Sequence, residues 1–97
     1  MSPDEAISRL RAHEAELKGL GVTGLFLFGS TARGEAQADS DVDLFFDHER
    51  GKLGLFELME VRDRAEGILG RPADVVTRGG LHPRLRAGVE ASALRVF

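Results

Sequence analysis

The stretch that decides the fold is residues 22–46, VTGLFLFGSTARGEAQADSDVDLFF. Its first seven residues are mostly apolar and predict a largely buried β-strand. Gly29 interrupts this run, residues 30–36 predict a short helix, and residues 37–40 predict a loop. Residues 42–46 then predict a second strand, so the stretch indicates two strands joined through a short helix.

Helices and strands are also predicted on both sides of this unit. A helix begins with Ser2 as N-cap and Pro3 in the first helical position, Glu5 closes a capping box, and Gly19 and Gly21 end the helix. Four further elements follow the unit: a helix over about 53–69, a strand over 73–77, a helix over about 83–91 and an edge strand over 93–97. This order indicates an α/β (α+β) fold, with a small mixed sheet of three to four strands and helices packed on it.

Apolar spacing marks the faces that the two later helices are expected to bury. Leu55 opens the apolar stripe of the first of them, and Gly70 followed by Pro72 ends that helix. In the last helix, Leu85 and Val89 are expected to point inward.

Composition excludes several classes of protein. The 97 residues predict a single domain over 1–97, and 42 % hydrophobic with 30 % charged residues is typical of globular chains. The chain has no cysteine, which excludes disulfide scaffolds, thiolate zinc sites and cysteine nucleophiles. No signal peptide or membrane-spanning run is evident, so a cytoplasmic location without membrane binding is expected. The net charge of −3 argues against strong nucleic-acid binding.

Two common nucleotide-binding strings are incomplete. The GxGxxG string over 19–24 follows a predicted helix instead of a strand, and the GxxxxG string over 29–34 lacks the Lys and Ser/Thr of a P-loop. The three histidines have no metal-ligand spacing and are interpreted as surface or capping residues: His13, His48 and His82.

Two aspartates lie on one face of the second strand. Since residues i and i+2 of a strand point to the same side, Asp41 and Asp43 point together, while Val42 and Leu44 point into the core. Two carboxylates about 7 Å apart repel by roughly 2 kcal/mol at an effective dielectric constant near 20. A divalent cation would offset this repulsion, and oxygen ligands suit Mg²⁺ or Mn²⁺. The alternative is an acidic strand edge that faces solvent.

The Gly-Ser turn supplies a second element. Gly29 ends the first strand and Ser30 opens the short helix, where free N–H groups and the helix dipole favour anions. Arg33 is a candidate clamp for anionic oxygens. The alternatives are an ordinary N-cap for Ser30 and a solvated side chain for Arg33.

A phosphate cradle beside paired carboxylates fits two-metal phosphoryl or nucleotidyl transfer, which usually needs a third carboxylate. Asp74, at the start of the third strand, is the candidate, and its alternative is a strand-edge or turn aspartate. Three other carboxylates are weaker candidates: Asp47, Asp63 and Glu57.

The motif resembles the signature of the polymerase-beta-type nucleotidyltransferase superfamily: Gly29-Ser30, then ten residues, then Asp41-x-Asp43. The string GSTARGEAQADSDVDLFF is similar to its smallest branch, the minimal nucleotidyltransferases, and the resemblance covers nearly the whole chain. Members of this branch are the antitoxin partners of HEPN-domain RNase toxins in MntA–HepT-type systems. The resemblance implies transfer of AMP from ATP to a tyrosine hydroxyl of the toxin, with release of pyrophosphate.

The resemblance also implies a role for each motif residue. Gly29 and Ser30 hold the triphosphate, and Arg33 matches an arginine common after Gly-Ser. By the same resemblance, Asp41 and Asp43 bind two catalytic Mg²⁺ ions, and Asp74 completes the metal site and helps activate the acceptor. The chain contains no tyrosine, so another molecule must present the acceptor, and a complex with a HEPN-domain toxin is expected. Two alternatives remain open: an inert antitoxin that acts by binding alone, and nucleotidyl transfer to a small molecule or an RNA end.

Overall fold

The computed structural model describes residues 1–50 and 53–97. The helices and strands in these ranges are α1 (Pro3–Arg11), α2 (Glu14–Gly19), β1 (Val22–Phe28), α3 (Gly29–Ala32), β2 (Val42–His48), α4 (Leu55–Leu69), β3 (Ala73–Thr77), α5 (Pro83–Ser92) and β4 (Leu94–Arg95). A turn of 3₁₀-helix, Arg78–Gly80, connects β3 to α5. No helix in the described ranges is long and apolar enough to cross a membrane.

The four strands form one sheet in the order β3-β2-β1-β4. Strand β1 is antiparallel to both β2 and β4, whereas β2 and β3 are parallel. The predicted mixed sheet with packed helices is confirmed, and β4 lies at an edge as expected. Because β2 and β3 run in the same direction, their first residues meet at one end of the sheet.

One face of the sheet carries the hydrophobic core. Alternate residues of β2 are fully buried there, and Leu10 of α1 and Val61 of α4 pack against the same cluster. The core residues of β2 are Val42, Leu44 and Phe46. Each such side chain contributes about 1.5–3 kcal/mol on burial, so this face holds the strand rigidly.

The opposite face is covered by stacked aromatic rings and one arginine. The rings of Phe26 and Phe45 stack with centroids 4.8 Å apart, and the Arg78 guanidinium carbon lies 4.8 Å and 5.0 Å from their centroids. Arg78 also donates two hydrogen bonds to the Asp47 carboxylate, at 2.8 Å and 2.9 Å, and pairs with Glu90 of α5 at 3.2 Å. The hydrogen bonds from Arg78 are the main reason why the pKa of Asp47 lies below its usual value.

We expect Arg78→Ala to lower the free energy of unfolding by about 2 kcal/mol, since it removes a cation–π contact and a bidentate ion pair that are only partly exposed. Urea denaturation at pH 7 would measure the loss. The folded-state pKa of Asp47 is lowered from 3.8, so the ion pair stabilises the folded protein fully above pH 3.8. Its contribution is lost as the pH falls from 3.8 through the folded-state pKa. Arg62→Ala, which removes an exposed pair with Asp63, is the control. An equal loss in both variants would contradict the assigned role of Arg78.

The first predicted helix is divided in two. Helix α1 ends at Arg11, His13 has the non-helical angles φ −114° and ψ 23°, and α2 begins at Glu14. The prediction of one continuous helix is therefore wrong. Residues 11–16 carry no large apolar side chain, so no core contact holds this turn to the helical path.

Ser2 caps α1 as predicted, because its Oγ accepts a hydrogen bond from the Glu5 N–H at 3.1 Å. The Glu5 carboxylate does not close a capping box but lies 3.8 Å from Arg9.

We expect Ser2→Ala to lower the free energy of unfolding by about 1 kcal/mol, a decrease of about 4–8 °C in melting temperature. Ser8→Ala, on the exposed side of α1, should change the melting temperature by much less. Equal shifts in the two variants would show that the cap contributes nothing.

Two of the predicted inward-facing residues are exposed. Leu55 is 67 % exposed, because the buried residues of α4 begin only at Val61 and its first turn extends past the core. Leu85 is 63 % exposed, and α5 buries none of its residues. Helix α4 ends as predicted, with Gly70 as C-cap in the left-handed conformation at φ +71°.

Candidate active site

Three aspartates converge where β2 and β3 begin. Asp43 lies directly opposite Asp74 in the parallel pair, and Asp41 stands two residues before Asp43. The neighbours of Asp43 on β2 and of Asp74 on β3 are buried in the core, so these two side chains project from the other face of the sheet. Neighbouring strands are about 4.8 Å apart, so Asp43 and Asp74 are direct neighbours across the sheet.

The electrostatics of Asp43 reflect this convergence. Partial burial raises the pKa of its carboxyl above the usual value, and the negative charges of Asp74 and Asp41 raise it further. The positive charge of Arg33 lowers the same pKa and so opposes them. All four predicted charged residues therefore lie in one electrostatic neighbourhood.

Gly29 lies directly against the Asp43 carboxylate. Its φ of +73° is left-handed, a conformation that favours glycine. A Cβ built at this position would stand 3.0 Å from Cγ of Asp43 and would overlap Oδ2. Glycine is therefore required here both for its backbone angle and for the room it leaves to Asp43.

The short helix after Gly29 differs from its prediction. Helix α3 has four residues and its N-cap is Phe28, so residues 30–36 are not one helix and the N-cap alternative for Ser30 is wrong. Gly34 takes a φ of +73°, which ends the turn early. Sequence reasoning gave no role to Thr31, whose buried hydroxyl has no hydrogen-bond partner among the described residues. No pattern in the sequence marks this hydroxyl as buried.

Arg33 is at the C-terminal end of α3 and is exposed. Its Nε donates to Oε2 of Glu35 at 3.0 Å, and both side chains are more than half exposed. A pair of this kind contributes about 0–1 kcal/mol, so an anion of higher charge could displace Glu35 from Arg33.

Comparisons with known proteins identify the family of this chain. The sequence model of a family described as the nucleotidyltransferase domain matches residues 9–96. The chain belongs to this family. It is 37 % identical over 93 residues to the protein adenylyltransferase MntA of Thermococcus cleftensis, across 95 % of this chain and 89 % of the relative. Membership of this family makes the chain a nucleotidyltransferase enzyme.

Two solved structures resemble the nucleotidyltransferase fold seen here. One is described as a minimal nucleotidyltransferase, with a TM-score of 0.81, 36 % identity and coverage of 97 % of this chain and 95 % of that chain. The other is a complex of a tri-AMPylated HEPN toxin from Shewanella oneidensis with MNT antitoxin. Its matching chain has a TM-score of 0.65 at 16 % identity and covers 90 % of this chain and 68 % of that chain, which shows a shared fold.

The donor set of this nucleotidyltransferase fits a hard divalent cation. Within residues 1–50 and 53–97, no three His, Cys, Asp or Glu side chains stand close enough together to form a ready-made metal site. The three aspartates offer only oxygen ligands, and burial first and then the negative charges of Asp74 and Asp41 raise the pKa of Asp43. A cation would offset the part of this shift that the two charges cause. Gly29 itself places no Cβ against the Asp43 carboxylate.

Arg71 fixes the loop that leads into Asp41, a role that sequence reasoning missed. Its Nη2 donates to the carbonyl oxygens of Ala38 and of Ser40, the latter at 3.1 Å. A main-chain hydrogen bond from Val42 to the carbonyl of Pro72, at 3.1 Å, continues this connection into the sheet. These long-range contacts join residues about 30 positions apart, which no local sequence pattern records.

The histidines make structural contacts within the protein. The imidazole of His48 bonds to the Leu20 carbonyl oxygen through Nε2 at 2.9 Å and accepts from the Arg50 N–H through Nδ1. His82 caps α5, since its Nδ1 accepts from the Arg84 N–H at 3.2 Å. His13 pairs with Glu16 on the surface, at 2.8 Å.

Proposed function

We propose that this nucleotidyltransferase transfers AMP from ATP to a tyrosine hydroxyl of a HEPN-type RNase toxin, and so acts as the antitoxin of that toxin in the cytoplasm. The observation that carries the proposal is the convergence of Asp41, Asp43 and Asp74 beside Gly29. The names of the relatives support the nature of the acceptor, because one is a protein adenylyltransferase and another is complexed with an AMPylated toxin.

The reaction is a substitution at the α-phosphorus of ATP. The oxygen of the acceptor hydroxyl forms a bond to this phosphorus, and the bond from the phosphorus to the oxygen that leads to the β-phosphate breaks. Pyrophosphate leaves with the electron pair of the broken bond. Asp74, which is exposed at the start of β3, accepts the proton of the hydroxyl as general base.

Each remaining residue of the proposed site binds or orients the donor nucleotide. Ser30 and the main chain at Gly29 contact the triphosphate, and Arg33 exchanges its exposed contact with Glu35 for a phosphate oxygen. Asp41 and Asp43, together with Asp74, would hold Mg²⁺, or Mn²⁺ in its place. The cation would neutralise phosphate charge and lower the pKa of the attacking hydroxyl.

The acceptor has to come from another molecule. This sequence has no Tyr, and the three aspartates stand at an open end of the sheet where a partner can reach them. A complex with a toxin that presents a tyrosine would supply the missing half of the site.

The test is an intact-mass assay of the HEPN-type protein encoded beside this chain, mixed with the chain, ATP and Mg²⁺. The toxin should gain whole AMP units, only with the unmodified chain and only in the presence of Mg²⁺. Peptide mapping should place each unit on tyrosine, and toxin RNase activity should fall as the mass increases.

The matched control is the double variant Asp41→Asn/Asp43→Asn, which keeps side-chain size and removes two negative charges. A stable complex with both versions and no added mass would refute the transfer and leave an inert, binding-only antitoxin. Added mass on an RNA end or a small molecule, with none on the toxin, would refute the choice of acceptor.

A further inference from the structure

A cavity of about 250 Å³ lies between α4 and the ends of β2 and β3, where Asp41 and Asp74 stand. Leu55, Leu58 and Met59 of α4 line its apolar wall, and the two aspartates add carboxylates. Pockets for drug-sized ligands usually measure about 300–1,000 Å³, so this cavity is suited to a single inserted side chain. An apolar wall next to carboxylates fits a side chain with an apolar body and a polar tip.

Arg62 restricts the kind of side chain that fits. It lines the same cavity, and its Nη2 pairs with Asp63 at 3.4 Å. Its positive charge offsets part of the charge of the aspartates, which weakens the attraction for a lysine or arginine and favours an oxygen that accepts a hydrogen bond. The tyrosine hydroxyl can accept from a guanidinium and donate to a carboxylate, while its ring covers apolar side chains.

The apolar wall of the cavity continues onto the exposed surface of α4. Phe56 is 85 % exposed and Leu55 is 67 % exposed, and adjoining exposed apolar side chains mark an interaction surface. Met59 lines both the cavity and a second groove, of about 670 Å³, between α2 and α4, and Phe56 lines this groove as well. We call Leu55, Phe56, Leu58 and Met59 the α4 face.

We propose that the α4 face binds the segment of the partner protein that carries the acceptor tyrosine. The tyrosine ring enters the cavity and packs against Leu58 and Met59, with its hydroxyl beside Asp74. The adjoining part of the segment covers Phe56 and continues into the second groove. This inference rests on the proposed function and assigns the acceptor side of that same site.

The charges of the second groove indicate which residues accompany the tyrosine. Three carboxylates line the groove, from Glu16, Glu60 and Asp63, together with the guanidinium of Arg64 and the imidazole of His13. Arg64 and His13 both pair with Glu16, so the negative charges of Glu60 and Asp63 remain for a partner. The groove therefore favours a segment with lysine or arginine next to the acceptor tyrosine, because complementary charges steer a partner to a surface.

The first test measures the affinity of the HEPN-type protein for the chain by calorimetry without ATP, so that binding is separated from transfer. Phe56→Ala and Met59→Ala should each weaken toxin binding at least about tenfold, as expected for anchor side chains of an interface. Met59→Leu, which keeps an apolar side chain of similar size, should retain most of the affinity. Melting curves check the fold of each variant, and the affinity for ATP with Mg²⁺ should stay within about twofold.

Leu94→Ala is the matched control. Leu94 is 37 % exposed, as Met59 is, but it lies in β4, at the opposite edge of the sheet from β3. This variant should bind the toxin within about twofold of the parent chain. For the charges, Glu60→Lys should weaken toxin binding about fivefold at low salt, and Glu49→Lys, in the exposed turn after β2, should change it by less than about twofold.

A double-mutant cycle tests whether the tyrosine ring itself enters the cavity. Toxin with alanine in place of the acceptor tyrosine should bind the parent chain at least about fivefold more weakly, and Met59→Ala should then cost less than about twofold more. Toxin with phenylalanine at that position keeps the ring and should bind nearly as tightly as the unmodified toxin.

The absence of cysteine from the chain allows the contact to be located directly. A photoactivatable benzophenone maleimide attached to Phe56→Cys should cross-link to the toxin peptide that contains the acceptor tyrosine. The same reagent on Leu94→Cys should not cross-link to that peptide.

Three results would overturn the inference: parent-like toxin affinity in both Phe56→Ala and Met59→Ala, independent losses in the cycle, or cross-links from Phe56→Cys only to other toxin peptides. Self-association of the parent chain that Phe56→Ala abolishes, with toxin affinity unchanged, would assign the α4 face to a second copy and so contradict it. Failure of the proposed function is distinguishable, since the toxin would then bind at the α4 face as expected but gain no AMP.

Discussion

Asp43→Asn should reduce AMP transfer by at least about a hundredfold and yet leave the protein as stable as the parent, or more stable. The loss follows from removing a carboxylate that would hold the divalent cation, and losing one preorganised group of this kind lowers a rate by about 10²–10³-fold. The gain follows from the pKa of Asp43, which burial and then the charges of Asp74 and Asp41 raise above 3.8. Because the folded-state pKa of Asp43 lies above 3.8, the free energy of unfolding falls as the pH rises from 3.8 through the folded-state pKa. The ionised carboxylate therefore destabilises the parent protein at pH 7.

Single-turnover AMP transfer and urea denaturation at pH 7 measure the two effects. Asp39→Asn is the matched control, since Asp39 is exposed in the preceding loop, and it should leave both quantities near the parent values. Transfer retained in Asp43→Asn would exclude this carboxylate from the site. A large loss of stability would show that its charge supports the fold.

Gly29→Ala should lower AMP transfer by about a hundredfold and the free energy of unfolding by about 1–3 kcal/mol. Two separate causes act at this residue. The backbone angle φ +73° is unfavourable for alanine, and the new methyl group would occupy the position of the Asp43 carboxylate oxygen. The side chain of Asp43 would have to move, which displaces it from the other two aspartates.

Gly34→Ala separates these causes. Gly34 has the same φ of +73°, but a Cβ built there meets no atom within 4 Å. It should therefore lose similar stability and keep nearly all transfer activity, as measured by the same two assays. In the background of Asp43→Asn, Gly29→Ala should cost little further activity, because both changes act on one carboxylate. Equal activity losses in the two glycine variants would contradict a specific contact between Gly29 and Asp43.

The strands could be predicted closely because their signals are local. The bounds of β1 and β3 match the predicted 22–28 and 73–77, since each is a short apolar run ended by glycine, proline or a turn. The alternation of Asp41 and Asp43 with buried residues predicted their shared face, and the register of β2 with β3 adds Asp74. The catalytic roles of these residues stay predictions.

The parts that sequence reasoning missed depend on contacts between distant segments. The exposure of Leu85 depends on α5 lying over a face already covered by Arg78. Arg71 contacts the loop before Asp41 although the two lie about 30 residues apart, and no sequence pattern predicts a contact over that separation.

The inner position of β1 has a consequence for the order of folding. One neighbour, β2, follows it closely along the chain, whereas the other, β4, follows only after α4, β3 and α5. Contacts between distant segments form slowly, so the β1–β2 pair should assemble first and leave the β4 side of VTGLFLF without a partner. An apolar strand with a free edge pairs readily with copies of itself. Arrival of β4 is thus the step that protects the newly made chain from aggregation.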